Sequence, residues 1–405
     1  MKRLIFVNRY FFPDHSATSQ ILSDLAFHLA ESGQDVHVIT SRQIYDKPEV
    51  RLPRSEVVKR VHIHRISSTH FGRSSLLGRA VDYMSFYVSV RRYLLALAKS
   101  GDIIIAKTDP PLMSVVAMGA ARRTRSHLVN WLQDIYPEVA TELNVPFIKG
   151  RLAGVLSSWR DRSLRAAQTN VVLGLDMAKR IRSRGVSSER IHVIPNWTDD
   201  EEITAIAPAD NPLRRSWELE DKFVVGYSGN FGRGHEFDTI LAASERLRDH
   251  PHIMFLFIGG GQRLDELAQR VKQKSLGRTY RFLPYQQRIQ LKYSLSVPDV
   301  HWISLRPGLD ELMFPSKFYG IAAAGRPLIA IANKNGELAS LVRQYRCGLV
   351  IEPGDAEGLA EALVALSQDR PRGQAMGQNA RAMLESNFTR RQALERWTTL
   401  LRKIQ

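Results

Sequence analysis

A single cysteine, Cys347, stands in 405 residues. No intrachain disulfide can form and no paired-Cys metal site is available, which fits a reducing compartment. No uninterrupted apolar run approaches the ~18 residues that a membrane-spanning helix needs. The apolar run nearest the start, Leu4–Val7, is too short for a signal peptide. The turn after the first strand, Arg9–Ser19 (RYFFPDHSATS), has no Gly-x-Gly-x-x-Gly, so a dinucleotide bound there in the usual way is disfavoured. The absence of a Walker pattern argues against a P-loop ATPase. No Asp-x-Asp or His-x-x-x-His spacing occurs either, so no dedicated metal site is expected.

The composition is that of a soluble globular chain, with 44% apolar and 24% charged residues, and the length suffices for two full cores. In the first half short β-rich runs (Leu4–Asn8, Val36–Thr40, Val61–Ile66, Asp102–Ala106, Leu128–Leu132, Asn170–Leu173) alternate with helical periodicity. The pattern lapses over an acid- and Pro-rich stretch, 196–221, and restarts at Phe223–Tyr227, Ile253–Ile258, Tyr280–Leu283, Asp299–Ile303, Leu328–Ile331 and Gly348–Ile351. From Ala356 the chain reads as helical, with breaks near Pro371 and Phe388. Such alternation predicts two α/β domains with doubly wound parallel sheets, and ligands bound in the cleft at the carboxyl ends of the strands. The expected boundaries are 1–195, a linker at 196–221, 222–387, and a C-terminal helix at 388–405 that packs back toward the first domain.

The net charge of +16 is uneven. Residues 1–200 hold 29 Lys and Arg against 18 acids, and the remainder 28 against 23, so the first half has an anionic partner to account for. Two stretches concentrate it: Gly72–Lys99 and Phe147–Arg165 mix Arg with Leu, Tyr, Phe and Met, the second around Trp159. Each reads as docking on an anionic membrane interface, or as a core helix with a solvated charged face.

Asp310–Ile331 (DELMFPSKFYGIAAAGRPLIAI) has a fixed grammar. Two acids, Asp310 and Glu311, precede Pro315–Ser316–Lys317, which opens a helix that Gly325 and Pro327 close. Unpaired N–H groups and a lysine at a helix start suit a diphosphate; an ordinary capped αβ unit has the same signs. Tyr227–His235 (YSGNFGRGH) places Gly229, Asn230 and Gly232 around Arg233 after a strand, and Gly259–Gly261 repeats the glycine signal. Gly-rich turns expose N–H groups to phosphate and Arg adds a bidentate donor, although each turn alone could be only tight. Leu283–Pro284 lies past a strand end and suits the edge of a base, or a plain turn. In WLQDIYPE, Asp134 follows a buried strand, where a carboxylate could accept a proton, orient a hydroxyl, or cap a helix. Ser16, beside Asp14 and Thr18, offers either a ligand contact or an N-cap.

Together these residues resemble glycosyltransferase family 4, retaining enzymes of the GT-B fold, and within it the colanic-acid and O-antigen glycosyltransferases of bacteria. The carriers are RYFFPDHSATSQ, LQDIYPE, IPNWTD, YSGNFGRGH and PSKFYGIAAAGRPLI, in the family's order over almost the whole length. The resemblance implies two Rossmann-like domains, with a UDP- or GDP-sugar held mainly by the second. It implies that Arg233 neutralises the diphosphate and that the backbone near Ser316 and Lys317 holds phosphate oxygens. Leu283–Pro284, with Gly260 nearby, would clasp the base, and Glu311 or Asp310 would contact the donor sugar. The second acid of the family's Glu-x7-Glu element, which usually binds ribose, falls on Gly320. The family's frequent Gly-Gly falls near Ser16, and its frequent His beside Asp134 is Gln133. The expected catalytic set is therefore Arg233, Lys317, Glu311 and Asp134, with no metal or other cofactor. The acceptor implied is a polyprenyl-diphosphate-linked saccharide, reached from the cytoplasmic face of the plasma membrane by peripheral contact. Rival readings are a UDP-sugar epimerase of the same fold and a non-catalytic basic binding protein. Nucleic acid ranks low as a partner, because the basic residues fall on amphipathic helices rather than in tracts with stacking aromatics.

Overall fold

Runs such as Ile103–Lys107 (IIIAK) and Leu328–Ile331 (LIAI) are buried along their whole length. Strands apolar on both faces form where helices cover both sides of a parallel sheet. The computed structural model describes residues 2–45, 50–71, 76–261 and 263–405. Gly72–Ser75, at the head of the first basic stretch, and Gln262, in the expected helix after the second glycine signal, lie outside them. The chain divides into two compact units, Met1–Pro195 with Ala393–Gln405, and Asn196–Gln392.

The first unit begins with β1 (Leu4–Val7), α1 (Ala17–Glu31), β2 (Val36–Ser41), β3 (Ser55–Val58) and β4 (Val61–Ile66). It continues through α2 (Leu76–Leu97), β5 (Ile103–Lys107), α3 (Met113–Thr124), β6 (His127–Trp131) and α4 (Glu138–Glu142). Then come α5 (Gly150–Ala166), β7 (Thr169–Val172), α6 (Leu175–Arg182) and β8 (Ile191–Val193). Its sheet runs β3-β4-β2-β1-β5-β6-β7-β8, parallel throughout except for the antiparallel edge pair β3–β4.

The second unit contains α7 (Pro212–Ser216), β9 (Phe223–Asn230), α8 (Asp238–Arg246), β10 (Ile253–Gly260) and α9 (Leu264–Gln273). It goes on with β11 (Tyr280–Leu283), α10 (Leu291–Ser296), β12 (Val300–Ser304), α11 (Lys317–Ala323) and β13 (Leu328–Ile331). It closes with α12 (Glu337–Gln344), β14 (Gly348–Ile351), α13 (Ala356–Gln368) and α14 (Arg370–Asn387). Its parallel sheet is ordered β11-β10-β9-β12-β13-β14. Both units are thus Rossmann-like doubly wound α/β sheets. In each the strand order reverses next to the first strand, between β1 and β5 and between β9 and β12. A crevice opens at such a switch point, beyond the strands' carboxyl ends.

One element differs from the expectation. Residues 196–221, read as a linker, belong to the second unit, where Arg214 is buried and bonds the Val297 carbonyl and Asp299. The break expected near Pro371 falls at Asp369, between α13 and α14, and Pro371 sits in the first turn of α14, where its missing N–H costs nothing. The last helix, α15 (Arg390–Ile404), buries Trp397 in the first unit, its ring 4.5 Å from that of Trp131.

α2 and α5 both pack on α3. The exposed face of α2 carries Leu77, Val81, Met84 and Val88, and that of α5 carries Leu152, Val155 and Trp159. These spacings put each set on one side of its helix. Neither helix therefore has the fully charged outer face of an ordinary surface helix, and Arg91, Arg92, Arg151 and Arg162 flank the apolar stripes. No helix among the described residues is long and apolar enough to cross a membrane.

Candidate functional site

In the second unit the polar groups gather at the β9/β12 switch point. The strands run further than their apolar residues suggested, because glycine pairs keep the ladder intact: Gly229 registers with Gly259 and Asn230 with Gly260. A Cβ on Gly259 (φ +135°) would stand 2.3 Å from the Gly229 carbonyl oxygen, and one on Gly261 would stand 2.5 Å from the Phe231 backbone. These glycines are where two backbones meet, and the turn proper starts at Phe231. Gly232 and the exposed Arg233 form its outer part.

Lys317 crosses Gly229, whose Cβ would lie 3.0 Å from Lys317 Cε. Its ammonium donates to the Asn230 carbonyl at 3.1 Å, lies 3.2 Å from His235 Nε2, and sits 5.0 Å over the Tyr227 ring. Among the described residues these partners are all uncharged, and burial pulls its pKa down to about 8. His235 Nδ1 lies 2.8 Å from the Ser304 carbonyl oxygen, at the end of β12. A carbonyl only accepts, so Nδ1 carries the proton and Nε2 turns its lone pair to Lys317. Burial, then the Lys317 charge, lowers the His235 pKa to about 3, so the ring is neutral.

The helix expected to open at Pro315 begins at Lys317 and has seven residues, with no side-chain cap from Ser316. So short a helix contributes little dipole, and the charge at this place is Lys317's own. Asp310 abuts Gly336 at the start of α12, and Glu311 is exposed on the turn before Leu312. Gly320 lies within α11, where a Cβ would find only Leu295 at 3.7 Å and Thr198 Oγ1 at 4.0 Å. Leu283 ends β11 and Pro284 is exposed, its carbonyl accepting from Gln286 Nε2 at 2.9 Å. The ring of Tyr285, the last residue of the FLPY stretch read from the sequence, lies against Gly260 at the same strand ends.

In the first unit a second cluster forms at the ends of β1, β5 and β6. Arg9 N donates to the Asp109 carbonyl and Gln133 N to Thr108 Oγ1, tying the three strand ends together. Lys107, fully buried, donates to the Thr18 carbonyl at 2.7 Å and lies 4.1 Å over the Trp131 ring. Its pKa falls to about 7 through burial, opposed by the charges of Asp109 and Asp134. That of Asp134 rises to about 6, through burial first and the Asp109 charge second, with Lys107 acting against both. Asp134 therefore ionises close to neutral pH, where a carboxylate can take up and return a proton. Ser16 occupies the N-cap position of α1 without capping it: its N–H and hydroxyl both donate to Asp14 Oδ1, at 2.8 and 2.5 Å. The one sign of Lys107 in the sequence was a charge closing a strand of four apolar residues.

Each unit thus carries a polar cluster at the switch point of its parallel sheet. Residues 17–197 match the family model Glycosyl transferase 4-like domain, and residues 210–383 match Glycosyl transferases group 1. The chain belongs to the group 1 glycosyl transferases, with a glycosyl transferase 4-like first domain and the GT-B fold. It is 26% identical over 378 residues to WcaI of Escherichia coli K12, by designation a colanic acid biosynthesis glycosyl transferase, covering 90% of this chain and 91% of that one. It is also 26% identical over 333 residues to glycosyltransferase WbjE of Pseudomonas aeruginosa, covering 81% and 80%. Among solved structures, sucrose-phosphate synthase from Thermosynechococcus elongatus superposes with a TM-score of 0.80 at 16% identity, covering 100% of this chain and 99% of that one. Anabaena Alr3699/HepE, in complex with UDP-glucose, superposes at 0.75 and 16% identity over the whole of both chains.

Proposed function

We propose that this protein is a retaining glycosyltransferase that moves a sugar from a UDP- or GDP-sugar onto a polyprenyl-diphosphate-linked saccharide, in the synthesis of a bacterial surface polysaccharide. The observation that carries the donor class is Lys317, a half-buried ammonium at the β9/β12 switch point whose partners among the described residues are all uncharged. A half-buried cation with no counter-ion among the described residues is stabilised by an incoming anion, and a diphosphate supplies one. The UDP-glucose complex of the HepE structure and the colanic-acid designation of WcaI support the same reading.

In the proposed reaction the bond between the donor's anomeric carbon and the β-phosphate oxygen breaks while negative charge builds on the leaving diphosphate. Lys317, with Arg233 on the neighbouring turn, stabilises that charge in place of a metal ion. The acceptor hydroxyl attacks from the face the leaving group vacates, and the departing phosphate takes its proton. No strong base is then required, and Asp134 serves to orient the hydroxyl. The apolar stripes of α2 and α5, flanked by arginines, dock the first unit on the anionic cytoplasmic face of the plasma membrane.

The test is nucleotide release from UDP- and GDP-sugars with a lipid-linked acceptor, comparing the parent with Arg233→Ala and Lys317→Ala. A drop of roughly 10²-fold or more is expected for Lys317→Ala. Undiminished turnover in both variants rejects the leaving-group assignment.

A further inference from the structure

Among the described residues the Lys317 ammonium makes two hydrogen-bond contacts, and one of them depends on the state of a neighbouring ring. We infer that His235 is a positioning residue for nucleotide-sugar binding: as the neutral Nδ1–H tautomer it accepts a hydrogen bond from the Lys317 ammonium at Nε2 and keeps that lysine charged and aimed across Gly229. This rests on the reading of Lys317 as the diphosphate contact.

The geometry fixes each part of this device. His235 Nδ1 lies 2.8 Å from the Ser304 carbonyl, which excludes the other neutral tautomer. Ser304 also accepts the Glu236 N–H on its hydroxyl at 3.0 Å, which holds the loop after the turn against β12. The ring stacks on Phe231, with planes 4° apart and centroids 5.8 Å apart, and meets Tyr227 edge to face at 5.5 Å. Its backbone carbonyl is held by the Arg263 guanidinium at 2.8 Å. Only one rotation of the imidazole satisfies these neighbours, and that rotation leaves Nε2 at 3.2 Å from Lys317 Nζ.

The electrostatics run the same way. The titratable groups beside Lys317 are His235 and, beneath it, Tyr227; beyond His235 lie Arg263 and Glu236. Arg263 and Lys317 both disfavour a charged imidazole, so His235 stays an acceptor through the physiological range. An acceptor on an ammonium stabilises its protonated form, against burial that already brings the lysine to about 8. Without the imidazole Lys317 loses its proton at lower pH, and the diphosphate site loses its charge. A ring that can be replaced by another acceptor, but not by an apolar group, is the signature of this role.

The experiment is calorimetric binding of UDP and of GDP across pH 6–10 to the full-length parent, Lys317→Ala, Lys317→Arg, His235→Ala and His235→Gln. The parent should lose affinity with a midpoint near 8, and Lys317→Arg should bind with no such loss. His235→Ala should move the midpoint down by about one pH unit, the worth of a hydrogen bond to a charged group. His235→Gln, whose amide oxygen can accept, should restore most of that shift. A merely structural role would lower affinity or thermal stability equally at all pH values and leave the midpoint in place. That outcome, or a midpoint equal in His235→Ala and the parent, overturns the inference. Unchanged binding in Lys317→Ala would instead reject the diphosphate reading on which it rests.

Discussion

Lys317 lies across Gly229 so closely that a methyl group at that glycine would stand 3.0 Å from Lys317 Cε. The glycine is thus a seat for the lysine stem, and its φ of +118° suits no larger residue. Gly229→Ala should displace the ammonium and weaken UDP or GDP binding roughly tenfold, about 1.4 kcal/mol. It should also lower stability by about 1–2 kcal/mol through strain. Titration calorimetry beside chemical denaturation separates the two effects. Lost stability with unchanged affinity would mean that Lys317 does not touch the nucleotide.

A Cβ at Gly320 would make only ordinary van der Waals contacts, with Leu295 and Thr198, so a side chain can start there without a clash. Gly320→Glu should keep or slightly raise the melting temperature, since glycine costs a helix about 1 kcal/mol relative to a good helix former. If ribose lies over this turn, as the family resemblance implies, nucleotide affinity should rise about fivefold through a new carboxylate–hydroxyl bond. An unchanged dissociation constant would place the ribose elsewhere.

Asp134 should give the enzyme an acid limb. Its pKa is pushed up to about 6 by burial and Asp109, so it is ionised above that value and protonated below it. If the carboxylate orients the acceptor hydroxyl, turnover should fall as pH drops through 6. Asp134→Asn should lower kcat by roughly 10²-fold and abolish the limb. A limb that persists in the Asn variant belongs to another group.

On the first sheet His37, His62 and His64 form a stack whose planes lie within 16°. His37 Nδ1 and His64 Nε2 are 2.9 Å apart, and His64 Nδ1 is 2.9 Å from the Tyr93 hydroxyl. Burial, then the neighbouring imidazoles, lowers the His64 pKa to about 4. The folded state therefore holds this ring neutral while the unfolded chain protonates near 6.5. The stabilisation is present above 6.5 and is lost as pH falls from there toward 4. Allowing for solvent screening, His64→Gln should remove about 1–2 kcal/mol of acid sensitivity over that window, measured as the slope of melting temperature against pH.

The alternation of apolar strands and amphipathic helices was legible because the central strands β1, β5, β7, β12 and β13 are buried along their whole length and announce themselves locally. The edge strand β3 was missed, since SEVV alternates between partly and fully exposed residues and acquires its conformation by pairing with β4. Lys317 was legible from its place after Pro-Ser. His235 was not, because its role needs the Ser304 carbonyl, 69 residues away, to choose its tautomer. Lys107, Asp109 and Asp134 become one cluster only when β5 and β6 pair. The glycines at 259 and 261 were visible as glycines, but their partner is another backbone, which no local pattern encodes.

The return of residues 393–405 to the first unit sets an order on how the molecule is made. Once Pro195 has been synthesised, the ribosome must add residues 196–392 before the segment bearing Trp397 exists. At bacterial or eukaryotic elongation speeds that interval is about 10–40 s. During it the Trp131 ring, which the Lys107 ammonium also overlies, lacks the Trp397 neighbour that it has in the finished protein. The first unit to emerge is thus the last to be completed, and a chain that stops short of Ala393 leaves it open.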